Sequence, residues 1–234
     1  MENIIEFKNV TKAYKTGDKE QLAVNDVSFT IDEGEFVIVL GPSGAGKSTI
    51  LNLLGGMDYV TKGEIIIAGQ NITGYSDDQL TEYRAKNVGF VFQFYNLIPT
   101  LTALENVSLT KDIVKNAMDP TQILKSVELE EHVNKFPSQL SGGEQQRVSI
   151  ARAIAKNPTM LLCDEPTGAL DSETGIVILS LLQKMSIENK KTVIIVTHNA
   201  ALALAANKVI RVKNGKIREI KINETPLPVS EVNW

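Results

Sequence analysis

A glycine-rich segment at 41–49, GPSGAGKST, fits the pattern of a phosphate-binding loop. Its glycines would let successive backbone N–H groups converge on phosphate oxygens, while Lys47 neutralises phosphate charge and the Ser48 hydroxyl ligates magnesium. A glycine-rich turn between a strand and a helix is the alternative, but such a pattern arises in roughly one per cent of chains of this length. The sequence therefore predicts a nucleotide-binding loop made of Gly41, Pro42, Ser43, Gly44, Ala45, Gly46, Lys47, Ser48 and Thr49.

Two adjacent carboxylates follow a short apolar run at 160–166, MLLCDEP. At the carboxyl end of a parallel strand Asp164 can hold magnesium, and Glu165 can polarise an attacking water. A solvated acidic turn is the alternative, but a phosphate loop in the same chain favours the catalytic interpretation. Cys163, just before the pair, is expected to be a small buried core residue rather than a reactive thiol.

The segment at 140–153, LSGGEQQRVSIARA, begins with a helix start signal. Ser141 and Glu144 have the spacing of a capping box, which predicts a helix whose positive dipole end points outward. A simple helix start leaves Gly142 and Gly143 unexplained, because glycine is a poor helix former. Two adjacent glycines would let the backbone approach an anion closely.

Short apolar runs are the elements that must position these groups. The runs at 36–40, 88–92, 160–163 and 192–197 have no polar face, which is typical of strands covered on both sides. Helical patterns lie between them, for example at 172–188 behind Asp171. Strands alternating with helices indicate an α/β fold with a mainly parallel core sheet. Two earlier runs, IIEF and VSFTI, alternate in polarity and predict N-terminal antiparallel strands.

Composition excludes several classes of protein. The 234 residues are 43% hydrophobic and 22% charged, an ordinary globular balance that excludes a disordered or collagen-like chain. The net charge of −4 gives no field that attracts nucleic acid, so no nucleic-acid partner is expected. The single cysteine excludes an internal disulfide and suits a reducing compartment. Because we expect neither a secretory signal nor a transmembrane segment, any membrane association must go through a partner.

Taken together, these motifs resemble the ABC-type ATPases, a class of phosphate-loop NTPase. LSGGE followed by QQRVSIARA is similar to the family's signature motif. The other motifs also occur in the family's order, with an aromatic before the phosphate loop and a histidine after the last apolar strand. Glu144 stands at a position of the signature motif where glutamine is commoner, and this difference removes no group that the mechanism needs. The segments FQFYNLIPTLTALENV and CDEPTGALDS look most like the macrolide-exporter and lipoprotein-releasing branch.

The resemblance implies roles for further single residues. Tyr14 would stack on adenine, Gln93 would contact magnesium and the attacking water, and His198 would hydrogen-bond the γ-phosphate. The alternatives are that Tyr14 is only an aromatic residue of a strand, that Gln93 is a polar residue at the end of a strand, and that His198 has a structural role. Asp171 would lie at a dimer contact, and it can also be a helix N-cap. His132, in a charged segment, is expected to be a surface residue.

The family's architecture implies a composite site. The signature residues Ser141, Gly142, Gly143 and Glu144 of one subunit would close over ATP and Mg²⁺ held by the phosphate loop of a second copy, in a head-to-tail homodimer. Hydrolysis at Glu165 would reopen the dimer and pass the motion to a transmembrane permease subunit. The chain would lie at the cytoplasmic face of the membrane, attached through that partner. Large apolar side chains after Gln93, among them Tyr95 and Leu97, would line the groove for the membrane subunit.

Three functions remain open. The first is an ATPase that energises export of a peptide, antibiotic or lipoprotein-like substrate. The second is a motor of the same fold that transmits force across the membrane to a cell-envelope partner. The third, a soluble ABC-type ATPase of DNA repair or translation, would need long insertions or tandem cassettes that this chain lacks.

The resemblance also implies how one ABC ATPase domain, 1–234, is organised. We expect a core α/β subdomain from 1–93 and 158–220, and a helical subdomain at 94–157. The remaining residues, 221–234, carry two prolines and are predicted to form an irregular C-terminal tail.

Overall fold

Strands and helices alternate along most of the chain in the computed structural model, which describes residues 3–17 and 19–232. The strands are β1 (Asn3–Thr16), β2 (Lys19–Asp32), β3 (Phe36–Leu40), β4 (Lys62–Ile67), β5 (Gln70–Asn71), β6 (Val88–Phe92), β7 (Met160–Asp164), β8 (Thr192–Thr197), β9 (Lys208–Lys213) and β10 (Lys216–Ile222). The α-helices are α1 (Lys47–Leu54), α2 (Asp77–Asn87), α3 (Ala103–Ser108), α4 (Thr110–Ile113), α5 (Pro120–Ser126), α6 (Gly142–Ala155) and α7 (Ser172–Asn189).

The strands form two sheets. The larger has the order β10-β9-β3-β8-β7-β6, and all its pairings are parallel except that between β9 and β10. The smaller has the order β2-β1-β4-β5 and is antiparallel throughout. These pairings confirm the predicted α/β fold, with its mainly parallel core sheet and its antiparallel N-terminal strands.

Two apolar cores cover the two faces of the larger sheet. Side chains alternate along β3, so Val37 and Val39 pack with α1 and the smaller sheet, while Ile38 lies on the opposite face. That opposite face packs against α3, α5, α6 and α7. Every residue of β3 is buried. The strand can therefore be apolar along its whole length, and it holds the start of the predicted phosphate loop at the centre of the sheet.

Helix ends agree with the predicted start signals. Ser141 accepts a hydrogen bond from the Glu144 backbone N–H at 3.3 Å, and the Glu144 carboxylate accepts one from the Ser141 N–H at 2.6 Å. Asp171 caps α7 by accepting from the backbone N–H of Thr174 at 2.9 Å. The elements between β6 and β7 are all helical. The division into a core subdomain and a helical subdomain stays a prediction.

The C-terminal segment is more ordered than the sequence predicts. Strand β10 extends to Ile222, and a 3₁₀-helix forms at Val229–Glu231. Gln183 of α7 holds this segment, since its side chain donates to the Leu227 carbonyl and accepts from the Val229 N–H, both at 2.9 Å. Val229 and Val232 are buried as a result. The sequence did not predict this order, because long-range contacts of this kind leave no local pattern. Positions 233 and 234 of the predicted tail lie outside the described residues.

Among the described residues, none of the helices combines the length and the apolar character that crossing a membrane requires.

Asn106 of α3 fixes the loop that leads from β6 into the helices. Its side chain is fully buried, accepts from the Ile98 N–H at 2.8 Å, and donates to the Ile98 and Leu101 carbonyls at 3.1 and 2.9 Å. A buried amide that completes several backbone hydrogen bonds is costly to replace, because the backbone groups would stay unpaired.

We expect Asn106→Leu, which is similar in volume, to lower the free energy of unfolding by about 2 to 4 kcal/mol in urea denaturation. Asn116→Leu is the matched control, since Asn116 is exposed. It should change stability by less than about 0.5 kcal/mol. Equal losses in the two variants would contradict a special role for Asn106.

Candidate active site

A cleft of about 1220 Å³ lies where the parallel strands end. The residues that directly follow β6, β7, β8 and β9 line the cleft, and so does the loop that follows β3. The sequence-predicted residues that line the cleft are Tyr14, Ser43, Gly44, Gly46, Lys47, Ser48, Thr49, Gln93, Asp164, Glu165 and His198. The structure therefore brings together groups that are up to 184 positions apart, from Tyr14 to His198.

The phosphate loop needs glycine at its two ends for packing reasons. A Cβ at Gly41 would lie 2.2 Å from the Val212 carbonyl oxygen of β9. Gly46 has φ +102°, and a Cβ there would lie 2.2 Å from the Ala23 carbonyl oxygen. Ala45 is buried beneath the loop. These residues support the loop, while its middle faces the cleft.

Lys47 begins α1 and its side chain folds back over the loop. Its ammonium donates to the Pro42 carbonyl at 3.1 Å, and the residue is largely buried. The first N–H groups of a helix have no partner within the helix and suit an anion. The loop, the helix start and the ammonium together present donors and a positive charge that suit a phosphate.

Asp164 ends β7 opposite the phosphate loop. Its carboxylate accepts a hydrogen bond from the Ser48 hydroxyl at 3.3 Å. Burial raises the pKa of Asp164, as does the neighbouring charge of Glu165, while Ser48 and Lys47 act in the opposite direction. A hydroxyl and a carboxylate at this distance are the oxygen ligands that Mg²⁺ prefers, and a cation would relieve the repulsion between the two acids.

Glu165 is held in an unusual backbone conformation, with φ +46°. Its carboxylate accepts a hydrogen bond from the Thr197 hydroxyl at 3.0 Å, and it lies 2.9 Å from Nδ1 of His198. A left-handed residue other than glycine is uncommon and strained, and such residues cluster at functional sites. Thr197 and His198, at the end of β8, thus aim the carboxylate.

Gln93 follows β6 directly and also faces the cleft. A Cβ at Gly168 would lie 2.9 Å from the Gln93 side-chain nitrogen, so glycine at 168 leaves room for the amide. The loop after Gln93 is tied to α6, because Arg152 donates to the Asn96 and Tyr95 carbonyls at 2.8 and 3.2 Å.

The signature residues Ser141, Gly142, Gly143 and Glu144 do not line this cleft. A Cβ at Gly143 would lie 2.3 Å from the Thr174 methyl carbon of α7. One at Gly142 would lie 2.8 Å from the Tyr95 hydroxyl. Glycine therefore suits both positions because neighbouring side chains leave little room for a Cβ. The anion contact that the sequence suggests would be a second reason.

His132 is not the plain surface residue that the sequence predicts. Its side chain is 25% exposed, and its Nε2 atom lies 3.3 Å from the Glu144 carboxylate. The 3₁₀-helix at Glu130–His132 brings it against the start of α6. Only the fold shows this contact, since no local spacing links positions 132 and 144.

Sequence reasoning missed several residues of the site. Thr197 holds Glu165, and Phe94, Asn96, Asn214 and Gly215 also line the cleft. Thr197 stands next to His198 at the end of an apolar strand, a position that could have singled it out. The hairpin between β9 and β10, which carries Asn214, gives no such signal.

Comparisons with known proteins agree with this geometry. A family model described as ABC transporter matches residues 24–168. The chain is 48% identical to the uncharacterized ABC transporter ATP-binding protein MJ0796 of Methanocaldococcus jannaschii, over 94% of this chain and 97% of that protein. A dimeric structure of MJ0796 in a post-hydrolysis state, bound to ADP and Pi, matches with a TM-score of 0.85 at 46% identity, over 93% of this chain and 98% of that one. The structure of cbiO1 from Clostridium perfringens, part of the transporter complex cbiONQ, matches with a TM-score of 0.82 at 27% identity, over 95% and 89%.

Replacing Lys47 tests the phosphate site. Lys47→Ala removes the ammonium that faces the loop, so we expect the affinity for Mg-ATP to fall by about 10-fold to 100-fold, the range for a charge-assisted hydrogen bond. Calorimetric titration measures this. Lys184→Ala is the control, because Lys184 is an exposed residue of α7 paired with Glu188. An unchanged affinity in Lys47→Ala would refute the phosphate-site assignment.

Proposed function

The chain belongs to the ABC transporter family, and from this premise we propose that it is the motor subunit of a membrane exporter. As an ABC-type ATPase it binds ATP with Mg²⁺ and hydrolyses it. We assign it to the macrolide-exporter and lipoprotein-releasing branch, on the segments that follow Gln93 and Cys163. Its cargo would then be a peptide, an antibiotic or a lipoprotein-like molecule.

The proposed chemistry rests on the arrangement of Asp164 and Glu165. Ser48 and Asp164 would hold magnesium, which when bound screens the phosphate charge. Lys47 and the N–H groups of the loop would bind the β and γ phosphates. Glu165, aimed by Thr197 and His198, would orient the attacking water. Gln93 would contact magnesium and that water, and His198 would hydrogen-bond the γ-phosphate. Phosphoryl transfer needs such positioning and charge stabilisation more than covalent chemistry.

A head-to-tail homodimer would complete the site. Ser141 and its neighbours lie at the N-terminus of α6, away from the cleft of their own subunit. They are therefore free to close over nucleotide held by a second copy, and Asp171 would lie near that contact. The dimeric form of the archaeal relative supports this arrangement.

The membrane partner would dock beside the loop that follows Gln93. Phe94 is 72% exposed and Ile98 is 40% exposed, whereas Leu97 packs on the core and Tyr95 lies against Gly142. We therefore assign the docking groove to Phe94 and Ile98 in place of Tyr95 and Leu97. Exposed apolar groups that lie close together mark an interface more often than isolated ones do. The permease subunit would hold the ATPase at the cytoplasmic face of the membrane. That cbiO1 is part of an ABC transporter complex supports a partner of this kind.

Glu165→Gln tests the proposed catalytic role. The amide keeps the shape of the side chain but cannot take a proton, so we expect ATP binding to persist and turnover to fall at least about 100-fold. The ATP-bound dimer should accumulate, as measured by size-exclusion chromatography. Adding Ser141→Arg should abolish that dimer while leaving the ATP affinity of the monomer unchanged. Substantial steady-state hydrolysis by Glu165→Gln would contradict the assignment, and a dimer that survives Ser141→Arg would contradict the composite site.

Ile98→Asp tests the docking groove. A charge on this apolar surface should weaken binding of the membrane subunit by about 1 to 4 kcal/mol, while ATP hydrolysis by the isolated subunit stays near normal. Copurification from membranes measures the binding of the membrane subunit. It also identifies that subunit, and its identity distinguishes export from force transmission. Ile187→Asp is the matched control, since Ile187 is 62% exposed on α7. If both variants copurify equally well, the groove lies elsewhere.

A further inference from the structure

Tyr14, near the end of β1, is anchored by its hydroxyl group. The hydroxyl donates to the Asp58 carboxylate at 2.6 Å, and Asp58 lies in the turn between α1 and β4. The other carboxylate oxygen of Asp58 is 2.5 Å from the Lys12 ammonium. Lys12 also donates to the Tyr59 carbonyl at 2.8 Å. Strand β1 and the turn at Asp58 are therefore joined by a cluster that includes the tyrosine hydroxyl.

The aromatic ring is held at a second place as well. The Lys12 ammonium lies over the ring, 4.9 Å from its centroid, in the geometry of a cation–π contact. The side chains of Lys12 and Asp58 are only 12% and 23% exposed. Tyr14 itself is 40% exposed and lines the cleft. One part of the ring is thus fixed to the protein, and the rest faces the nucleotide site.

The charges in this cluster stabilise one another. Burial alone would raise the pKa of Asp58, but hydrogen bonds from Lys12 and Tyr14 outweigh burial and lower it. Burial raises the pKa of Tyr14, and the hydrogen bond to Asp58 adds to that effect. The cluster is therefore an ionised carboxylate between an ammonium and a neutral phenol, which is the arrangement that makes the anchoring hydrogen bond strong.

A fixed ring matters for binding, because a side chain that becomes ordered on binding costs affinity. A tyrosine ring held in place beforehand avoids this cost and presents its surface to a planar base at once. Asp58 has both carboxylate oxygens occupied by groups of its own chain. Asp58 also does not line the cleft, so it does not reach the edge of a base bound there.

We propose that Asp58 and Lys12 are positioning residues for base recognition, which hold the Tyr14 ring where a nucleobase stacks. This inference rests on the stacking role proposed for Tyr14. The anchor acts through the ring alone, so it strengthens binding of every purine nucleoside triphosphate and does not discriminate between ATP and GTP. It has no effect on a polyphosphate that lacks a base.

The test compares ligands with and without a base. The dissociation constants of Mg-ATP, Mg-GTP and Mg-tripolyphosphate are measured by calorimetry for the wild type, Asp58→Ala and Tyr14→Phe. Both variants should bind ATP and GTP about 3-fold to 10-fold more weakly and bind tripolyphosphate as the wild type does. Tyr14→Phe removes the hydroxyl without touching the turn, so it still answers the question if Asp58→Ala folds poorly. Asp77→Ala is the matched control, because Asp77 pairs with the hydroxyl of Tyr59, and neither of these residues lines the cleft. It should change none of the three constants.

Tyr14→Ala separates the two levels of the proposal. If it leaves the ratio of the ATP and tripolyphosphate constants unchanged, the stacking role itself is wrong. If Tyr14→Ala weakens ATP binding but Asp58→Ala and Tyr14→Phe do not, stacking stands and the positioning role is overturned. If Asp58→Ala weakens all three ligands equally, Asp58 supports the phosphate loop instead, which also overturns the proposal. The double variant Asp58→Ala/Tyr14→Ala should bind ATP no more weakly than Tyr14→Ala, since no ring is left to position.

Discussion

The backbone ladder of the parallel sheet sets the distances on which the site depends. Leu40 of β3 is paired with Thr197 of β8, and Asp164 of β7 is paired with Val196 of the same strand. Neighbouring strands lie about 4.8 Å apart, so the phosphate loop, the acid pair and His198 begin at fixed intervals along one edge. Because β3 and β8 are buried throughout, none of these starting points can shift without disrupting the core.

Helix α6 is tied to that edge by Gln146, whose side chain donates to the Phe92 carbonyl at the end of β6 at 3.3 Å. The helix is also joined to the loop after Gln93, through the two hydrogen bonds that Arg152 donates to the loop carbonyls. The guanidinium is partly buried, and burial lowers its pKa, yet a guanidinium stays charged at neutral pH. A displacement of the loop next to Gln93 would therefore be passed to α6, and so to the signature residues at its start.

The sequence predicts well whatever is encoded locally. Uniformly apolar runs located the central strands, and the Ser141 and Asp171 start signals located α6 and α7. The phosphate loop and the acid pair were found because glycine, lysine and paired acids have a chemistry that spacing reveals, whereas Tyr14, Gln93 and His198 were found only through the resemblance to a family. The Asp58 anchor, the Glu144 contact of His132 and the docked C-terminal segment were not found. Each joins residues that are distant in sequence, and a polar residue in a turn has no local pattern that identifies its partner.

Cys163 lies fully buried on β7, the strand next to the edge strand β6 of the larger sheet, and it is the chain's single cysteine. Burial and the nearby Asp164 charge raise the pKa of its thiol far above the usual range, so almost no reactive thiolate forms at neutral pH. Maleimide dyes and spin labels should therefore pass over the native protein and modify only cysteines introduced at its surface. The opening and closing of the proposed dimer could thus be followed by spectroscopy without first removing the natural cysteine.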